Sequence, residues 1–276
     1  MKKIIRLVIG NAKFILFIFL AAEIAGIFFL LKKFNNFVSD QNNFSTPTFI
    51  SRPSKQAEKE AELKIGAVTV SEKIASKPAE PVFLPDKFLI GEVPFSVQSP
   101  DSKWDERGEE ACEEMSEIIV DHFWTKKPLD RALALAERNK LIDYEIQHYG
   151  GFHDEDAVQI AQRLKEYFNY KTVEVVYDFT LQELKRKIIE GRPIIVPAAG
   201  RLLNNPFFKQ PGPLYHNLVI IGYEGSDIIT NDPGIGRGKG YRYNENVLYN
   251  AIHDFPGTKE NILAGRKAMI IVYPNN

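Results

Sequence analysis

His216-Asn217-Leu218-Val219-Ile220-Ile221-Gly222-Tyr223 and Asp227-Ile228-Ile229-Thr230-Asn231-Asp232-Pro233-Gly234 are two β-prone runs parted by Glu224-Gly225-Ser226. Together they read as a hairpin with a histidine leading one strand and an aspartate closing the other. If all three intervening residues form the turn, Tyr223 faces Asp227, and counting outward sets Asp232 opposite Leu218. That is two positions from His216 and on the same sheet face. Imidazole and carboxylate then lie within diagonal reach. A two-residue turn would shift the register by one and send the two side chains to opposite faces, so the expectation hangs on turn length. Taken singly, Asp232-Pro233-Gly234 is an ordinary turn sequence and His216 an ordinary strand-end histidine.

Outward from the hairpin, further strands are expected over 173–177, 193–198, 241–243 and 267–273, and 88–97 reads as extended. Helices are expected over 109–123, 129–138 and 154–168, with a short one over 245–252. Another opens on the capping box Thr180-Leu181-Gln182-Glu183 and stops at Gly191 and Pro193. A helical half followed by a β half is the α+β class.

The chain has one cysteine. Cys112 sits in Gly108-Glu109-Glu110-Ala111-Cys112-Glu113-Glu114-Met115, near the start of a predicted helix. Free backbone N–H groups and the positive dipole end there favour a thiolate. The flanking glutamates oppose it unless they point to solvent, since nearby negative charge raises a thiol pKa. A lone cysteine on an apolar helix is otherwise a small buried hydrophobe. With His216 as base and Asp232 as orienter, Cys112 becomes a candidate nucleophile.

Arg192-Pro193-Ile194-Ile195-Val196-Pro197, the strand from His216 to Tyr223, and Asn231-Asp232-Pro233-Gly234 resemble the C-terminal half of the bacteriocin-leader-processing cysteine peptidases and their stand-alone relatives, family thirty-nine of the cysteine peptidases. Val93-Pro94-Phe95-Ser96-Val97-Gln98 is similar to that family's first strand, and the resemblance covers about 88–273. It implies a papain-like fold, a peptide or protein substrate, Cys112 as nucleophile, His216 as base, Asp232 as orienter and Gln98 as side-chain donor to the oxyanion hole. Residues 99–108 must then loop out for Gln98 to reach the sulfur. Trp104, Tyr215, Asn217 and the loop over 201–213 are candidates to shape a substrate groove, or are merely connecting segments. The competing expectation is a catalytically silent papain-like module that binds peptides or envelope components.

Composition narrows the partners. A formal net charge of -1 leaves no electrostatic footprint for nucleic acid. One thiol makes neither an internal disulfide nor a multi-thiolate zinc site, and the five histidines show no H-E-x-x-H spacing, so no metal or other cofactor is expected. No G-x-x-x-x-G-K-[ST] occurs, which excludes an ATP-driven exporter of the P-loop type. Residues 14–31 are apolar apart from Glu23 and would span about 27 Å as a helix, close to a bilayer core. Lys2, Lys3, Arg6 and Lys13 precede that run against Lys32 and Lys33 after it, which favours a cytoplasmic N-terminus and an extracytoplasmic remainder. Ala21, Ala22 and Ala25 would suit a cleaved signal peptide, but the apolar run continues past them. The expected organisation is thus a membrane anchor over 1–33, a flexible tether over 34–86, and the peptidase-like domain over 87–276, a single-pass membrane protein with the lipid bilayer as a partner.

Overall fold

The computed structural model describes residues 69–71 and 83–275. The expected anchor over 14–31 lies outside the described residues. Among those described, no helix is long and apolar enough to cross a membrane.

In chain order the elements are β1 (Thr69–Ser71), β2 (Lys87–Leu89), α1 (Glu106–Glu109), α2 (Cys112–Thr125), α3 (Arg131–Tyr149), α4 (Ala157–Glu166) and β3 (Thr172–Tyr177). They continue with α5 (Leu181–Ile189), β4 (Ile194–Ala199), β5 (Tyr215–Glu224), β6 (Asp227–Asn231), β7 (Tyr241–Asn244), α6 (Glu245–Ala251) and β8 (Ala268–Tyr273). Eight strands form one sheet in the order β1-β3-β8-β4-β5-β6-β7, with β2 added beside β5. Only the β1–β3 pair is parallel. The class is α+β, as expected. β1 falls within the stretch read as a flexible tether, so part of that stretch belongs to the sheet.

Both faces of the sheet are covered, which explains why β4, β5 and β8 read as nearly unbroken apolar runs. Val173, Val175, Ile195, Val219, Ile270 and Val272 point to one side, where Met115, Ile118, Ile119, Leu141, Ile160 and Leu164 from α2, α3 and α4 meet them. The alternate residues Ile194, Val196, Leu218, Ile220, Met269 and Ile271 point to the other side, under Leu184 and Ile188 of α5 and Leu248 of α6. Each such fully buried aliphatic side chain stabilises the fold by about 1.5–3 kcal/mol relative to exposure.

Local chemistry sets the helix ends. Thr180 and Glu183 make the expected capping box, and Asp156 makes another with Gln159. Asp130 caps α3, which runs eleven residues past the expected end at Arg138, to Gly150 in the left-handed region at φ 83°. The helix expected over 109–123 is broken instead. Glu110 and Ala111 leave helical geometry between α1 and α2, so α2 makes a fresh start at Cys112.

The hairpin register arises by a route the sequence does not announce. Glu224 pairs with Asp227, so the turn is the two residues Gly225-Ser226 and not three. That alone would send His216 and Asp232 to opposite faces. The pairing then slips between Ile220 and Gly222, leaving Ile221 as an extra residue before Ile220 meets Thr230 and Val219 meets Asn231. This β-bulge restores the residue missing from the turn. Continued by one pair, Leu218 stands opposite Asp232, as a three-residue turn would have set it. Gly222 marks the place because a Cβ there would lie 2.5 Å from the Phe88 carbonyl oxygen of β2.

Candidate active site

The second residue of β5, His216, is buried, and its Nε2 lies 2.7 Å from Asp232 Oδ1 just beyond β6. The expected base and orienter therefore meet. Asp232 is fully enclosed, yet three donors compensate it. Besides the imidazole, Tyr243 donates its hydroxyl to Oδ2 at 2.5 Å and the Gly234 N–H donates to Oδ1 at 2.9 Å. Burial pushes this carboxyl pKa up, but the charge and hydrogen bond of His216 with the other two donors outweigh it, and the pKa lies below its ordinary value. Tyr243 is held in turn by Asn205, whose amide donates to the phenol oxygen at 2.6 Å. The Tyr243 contact was not foreseen, although the alternation of β7 turns Tyr243 inward while its neighbour Arg242 stays exposed.

The imidazole plane is fixed from two sides. The Phe208 ring meets it edge-on at 5.3 Å between centroids, and Gly234 leaves it room, since a Cβ there would lie 2.7 Å from His216 Cε1. With Nε2 engaged by Asp232, Nδ1 is the nitrogen available for proton transfer.

Cys112 is the first residue of α2, where backbone N–H groups have no acceptor within the helix. It opens, with His216, into a cleft of about 780 Å³. Trp104, Tyr215 and the loop residues Arg201, Phe207, Phe208 and Lys209 line the same cleft, so these groove candidates do shape it. Asn217 does not, being fully buried within β5.

The sulfur's own hydrogen bond goes elsewhere. Sγ contacts Glu113 Oε2 at 2.9 Å, and the thiol makes no hydrogen bond to His216. Burial pushes the Cys112 thiol pKa well up, and the charge and hydrogen bond of Glu113 and the charge of Asp154 push the same way, against a lowering contact from the Asn217 backbone. The expected relief, carboxylates turned to solvent, holds for Glu109 but fails for Glu113 and Glu114, both of which are buried.

Gln98 reaches the cleft because 99–108 folds back as required. Ser99 Oγ donates to the Lys103 carbonyl at 2.6 Å, and Asp105 caps α1 by accepting from the Gly108 N–H at 3.0 Å. The amide of Gln98, however, is turned away from an oxyanion. Its Nε2 donates to the carbonyls of Gly108 at 3.0 Å and Glu109 at 2.8 Å, while Oε1 is buried without a partner. Exchanging N and O would set an oxygen against two carbonyl oxygens, so this orientation is the stable one. As placed, Gln98 ties the end of α1 beside Cys112.

Behind Cys112 lies a network the sequence did not reveal. Arg163 of α4 is fully buried and makes ion pairs with Glu117, Glu145 and Glu155. Its Nη1 lies 2.6 Å from Glu145 Oε1 but off the N–H direction, so that carboxyl gains charge contact and no aligned hydrogen bond. One guanidinium cannot neutralise so many acids. Burial, followed by the charge of Glu114, pushes Glu145 up to about 11. At Glu117 burial, joined by the charges of Glu155 and Glu114, overcomes the help of Arg163, and the pKa rises to about 8. Among the described residues, no group of three or more side chains is arranged to hold a metal ion.

A family model described as the Peptidase_C39 like family matches residues 90–254. No curated protein matches the chain. Among solved structures, a C39-like protein from Bacillus anthracis is 13% identical at a TM-score of 0.46, over 69% of this chain and 98% of that one. That likeness is too slight to carry an argument. The family match spans more than half of the chain and encloses Gln98, Cys112, His216 and Asp232. On that match, the chain belongs to the Peptidase_C39 like family.

Proposed function

We propose that this chain is a cysteine hydrolase of papain-like fold acting on peptide or amide bonds through Cys112, His216 and Asp232. Cys112 Sγ attacks the carbonyl carbon, and His216 Nδ1 takes the thiol proton and returns it to the leaving amine. The resulting thioester is hydrolysed by water that gives its proton to the same nitrogen. Asp232 holds the imidazole by Nε2 and stabilises its cation. The N–H at Cys112, which has no acceptor within α2, faces the developing oxyanion, and Gln98 supplies a second donor only if its Nε2 leaves the Gly108 and Glu109 carbonyls. The observation that carries this reading is the His216 to Asp232 bond, which leaves Nδ1 free in a cleft shared with the only thiol. Cys112→Ala is expected to abolish turnover of a mixed peptide library with the fold retained. Unchanged turnover in the purified variant would dismiss the assignment.

A second reading has its own support. The sulfur is bonded to a buried carboxyl and its pKa is raised, which suits a silent module that captures peptides in the cleft. Alkylation of Cys112 by iodoacetamide separates the two: a rate that falls in His216→Ala supports the hydrolase, and a slow rate indifferent to His216 supports the binder.

We also infer that residues 14–31 hold the chain in a membrane with the remainder extracytoplasmic, on the strength of length, hydropathy and flanking charge. Release of the full chain from membranes by alkaline carbonate would refute this.

A further inference from the structure

Glu113 is an odd neighbour for a nucleophile. It follows Cys112 directly on α2, is almost wholly enclosed, and sets Oε2 2.9 Å from Sγ. Its other oxygen, Oε1, is buried with no hydrogen-bond partner. Among the described residues, no lysine or arginine forms an ion pair with it. What does face it is acidic or neutral. Glu114 lies on its own helix and Asp154 on the segment ahead of α4, while Tyr215 comes from β5. Asn217, also on β5, brings a buried amide whose own two atoms have no partner. Lys259, the cation of this region, is taken up by Glu110 at 2.7 Å and Asp154 at 3.1 Å. Two acids in hydrogen-bond contact do not readily both ionise, so thiol and carboxyl titrate as a unit.

Resting on the hydrolase reading above, we infer that Glu113 is a latch on the nucleophile: Cys112 and Glu113 share one proton, and the shared bond holds the sulfur away from His216 until substrate enters the cleft. Opening the latch moves the S–H hydrogen bond from Glu113 Oε2 to His216 Nδ1. Proton transfer to that nitrogen then breaks the S–H bond and forms an N–H bond, leaving a thiolate and an imidazolium. The pair's one proton thus ends on the imidazole and Glu113 is left a carboxylate, so the opening must also carry that carboxylate away from Sγ, or its charge would suppress the thiolate. The two partners differ in what they offer. Glu113 is fixed on the same helix and available at all times, whereas His216 is oriented by Asp232 and faces the cleft that substrate fills.

Because the chain has a single cysteine, alkylation reports on this sulfur alone. The experiment follows iodoacetamide labelling of the full chain against pH for wild type, Glu113→Gln, Glu113→Asp and His216→Ala, with circular dichroism as the control for fold. Glu113→Gln keeps the shape and removes the carboxylate that competes for the thiol proton. Glu113→Asp keeps the charge but withdraws the carboxyl by one methylene. The latch predicts about tenfold faster labelling at pH 7 in Glu113→Gln, equivalent to about one pKa unit, and a smaller gain in Glu113→Asp. It also predicts a single titration step in Glu113→Gln where wild type shows two. Wild-type rates in both substitutions, or slower ones, would overturn the latch. A gain in Glu113→Gln with no effect of His216→Ala keeps the latch and sinks the triad. Loss in His216→Ala with no effect of the Glu113 substitutions does the reverse.

Discussion

Tyr243 donates to the oxygen of Asp232 that His216 does not use, at 2.5 Å, so that β7 braces the acid from the side opposite the base. Removing that hydroxyl by Tyr243→Phe leaves a buried carboxylate with one donor fewer, which costs about 2 kcal/mol. Asp232 has a depressed pKa in the folded protein, so its contribution is present above the unfolded value and lost as pH falls through the folded one. The substitution raises the folded value toward the unfolded one, so its cost is expected in full at pH 7 and to shrink as pH falls below the unfolded value. Urea midpoints between pH 7 and pH 3 check this; parallel curves for the two proteins would count against the bracing role.

Gly234→Ala tests how tightly the imidazole is packed. Its methyl would fall 2.7 Å from His216 Cε1 and 3.0 Å from Phe208 Cε1, and the ring must give way. Turnover is expected to fall on the order of 100-fold, the scale of an ångström's misplacement. The loss in melting temperature should be small, because the Gly234 N–H still reaches Asp232. A crystal structure of the variant with an unmoved ring would be inconsistent with this account.

The acids around Arg163 predict an unusual slope of stability with pH. Glu117 at about 8 and Glu145 at about 11, joined by Asp254 at about 6 beside Tyr177, all have folded values above their unfolded ones. Such groups bind more protons folded than unfolded, so their contribution to stability is full below about pH 4 and drains as pH rises through each folded value. Urea midpoints are expected to fall between pH 5.5 and 8.5, by about 1 kcal/mol per pH unit after allowance for relaxation. Glu145→Gln mimics the protonated acid and should flatten that slope while raising stability at pH 8.5. A midpoint that climbs over the same interval would contradict the buried acids' protonation.

Much of the sheet and the pairing of His216 with Asp232 was legible because strand alternation and turn residues are local signals. The right register followed from the wrong turn length, since a two-residue turn and the bulge at Ile221 cancel. Only the close approach of β2 to Gly222, a contact far away in sequence, explains why the bulge forms there. The glutamates Glu113, Glu114 and Glu117 were unreadable for a different reason. A run of acids on a helix normally marks a solvated face, and here α2 is enclosed by β5 and α3 while Arg163 on α4 brings counter-charge to Glu117 and Glu114 but not to Glu113. A clue existed in Arg163 itself, which shares the inward stripe of Ile160 and Leu164. Gln98 lines the cleft, but the direction of an amide depends on the carbonyls it meets, and periodicity does not disclose those.

The three residues Thr69–Ser71 have a consequence for anyone who trims this protein. They cover the outer rim of β3 as a parallel partner, with Val70 against Val175. A version beginning at Lys87 would bare Thr172-Val173-Glu174-Val175-Val176-Tyr177, a β-branched strand with a free ladder of N–H and C=O groups. Such an open rim invites a second molecule to add its own strand, and self-association at high concentration would then reflect the missing cover strand and not the active site.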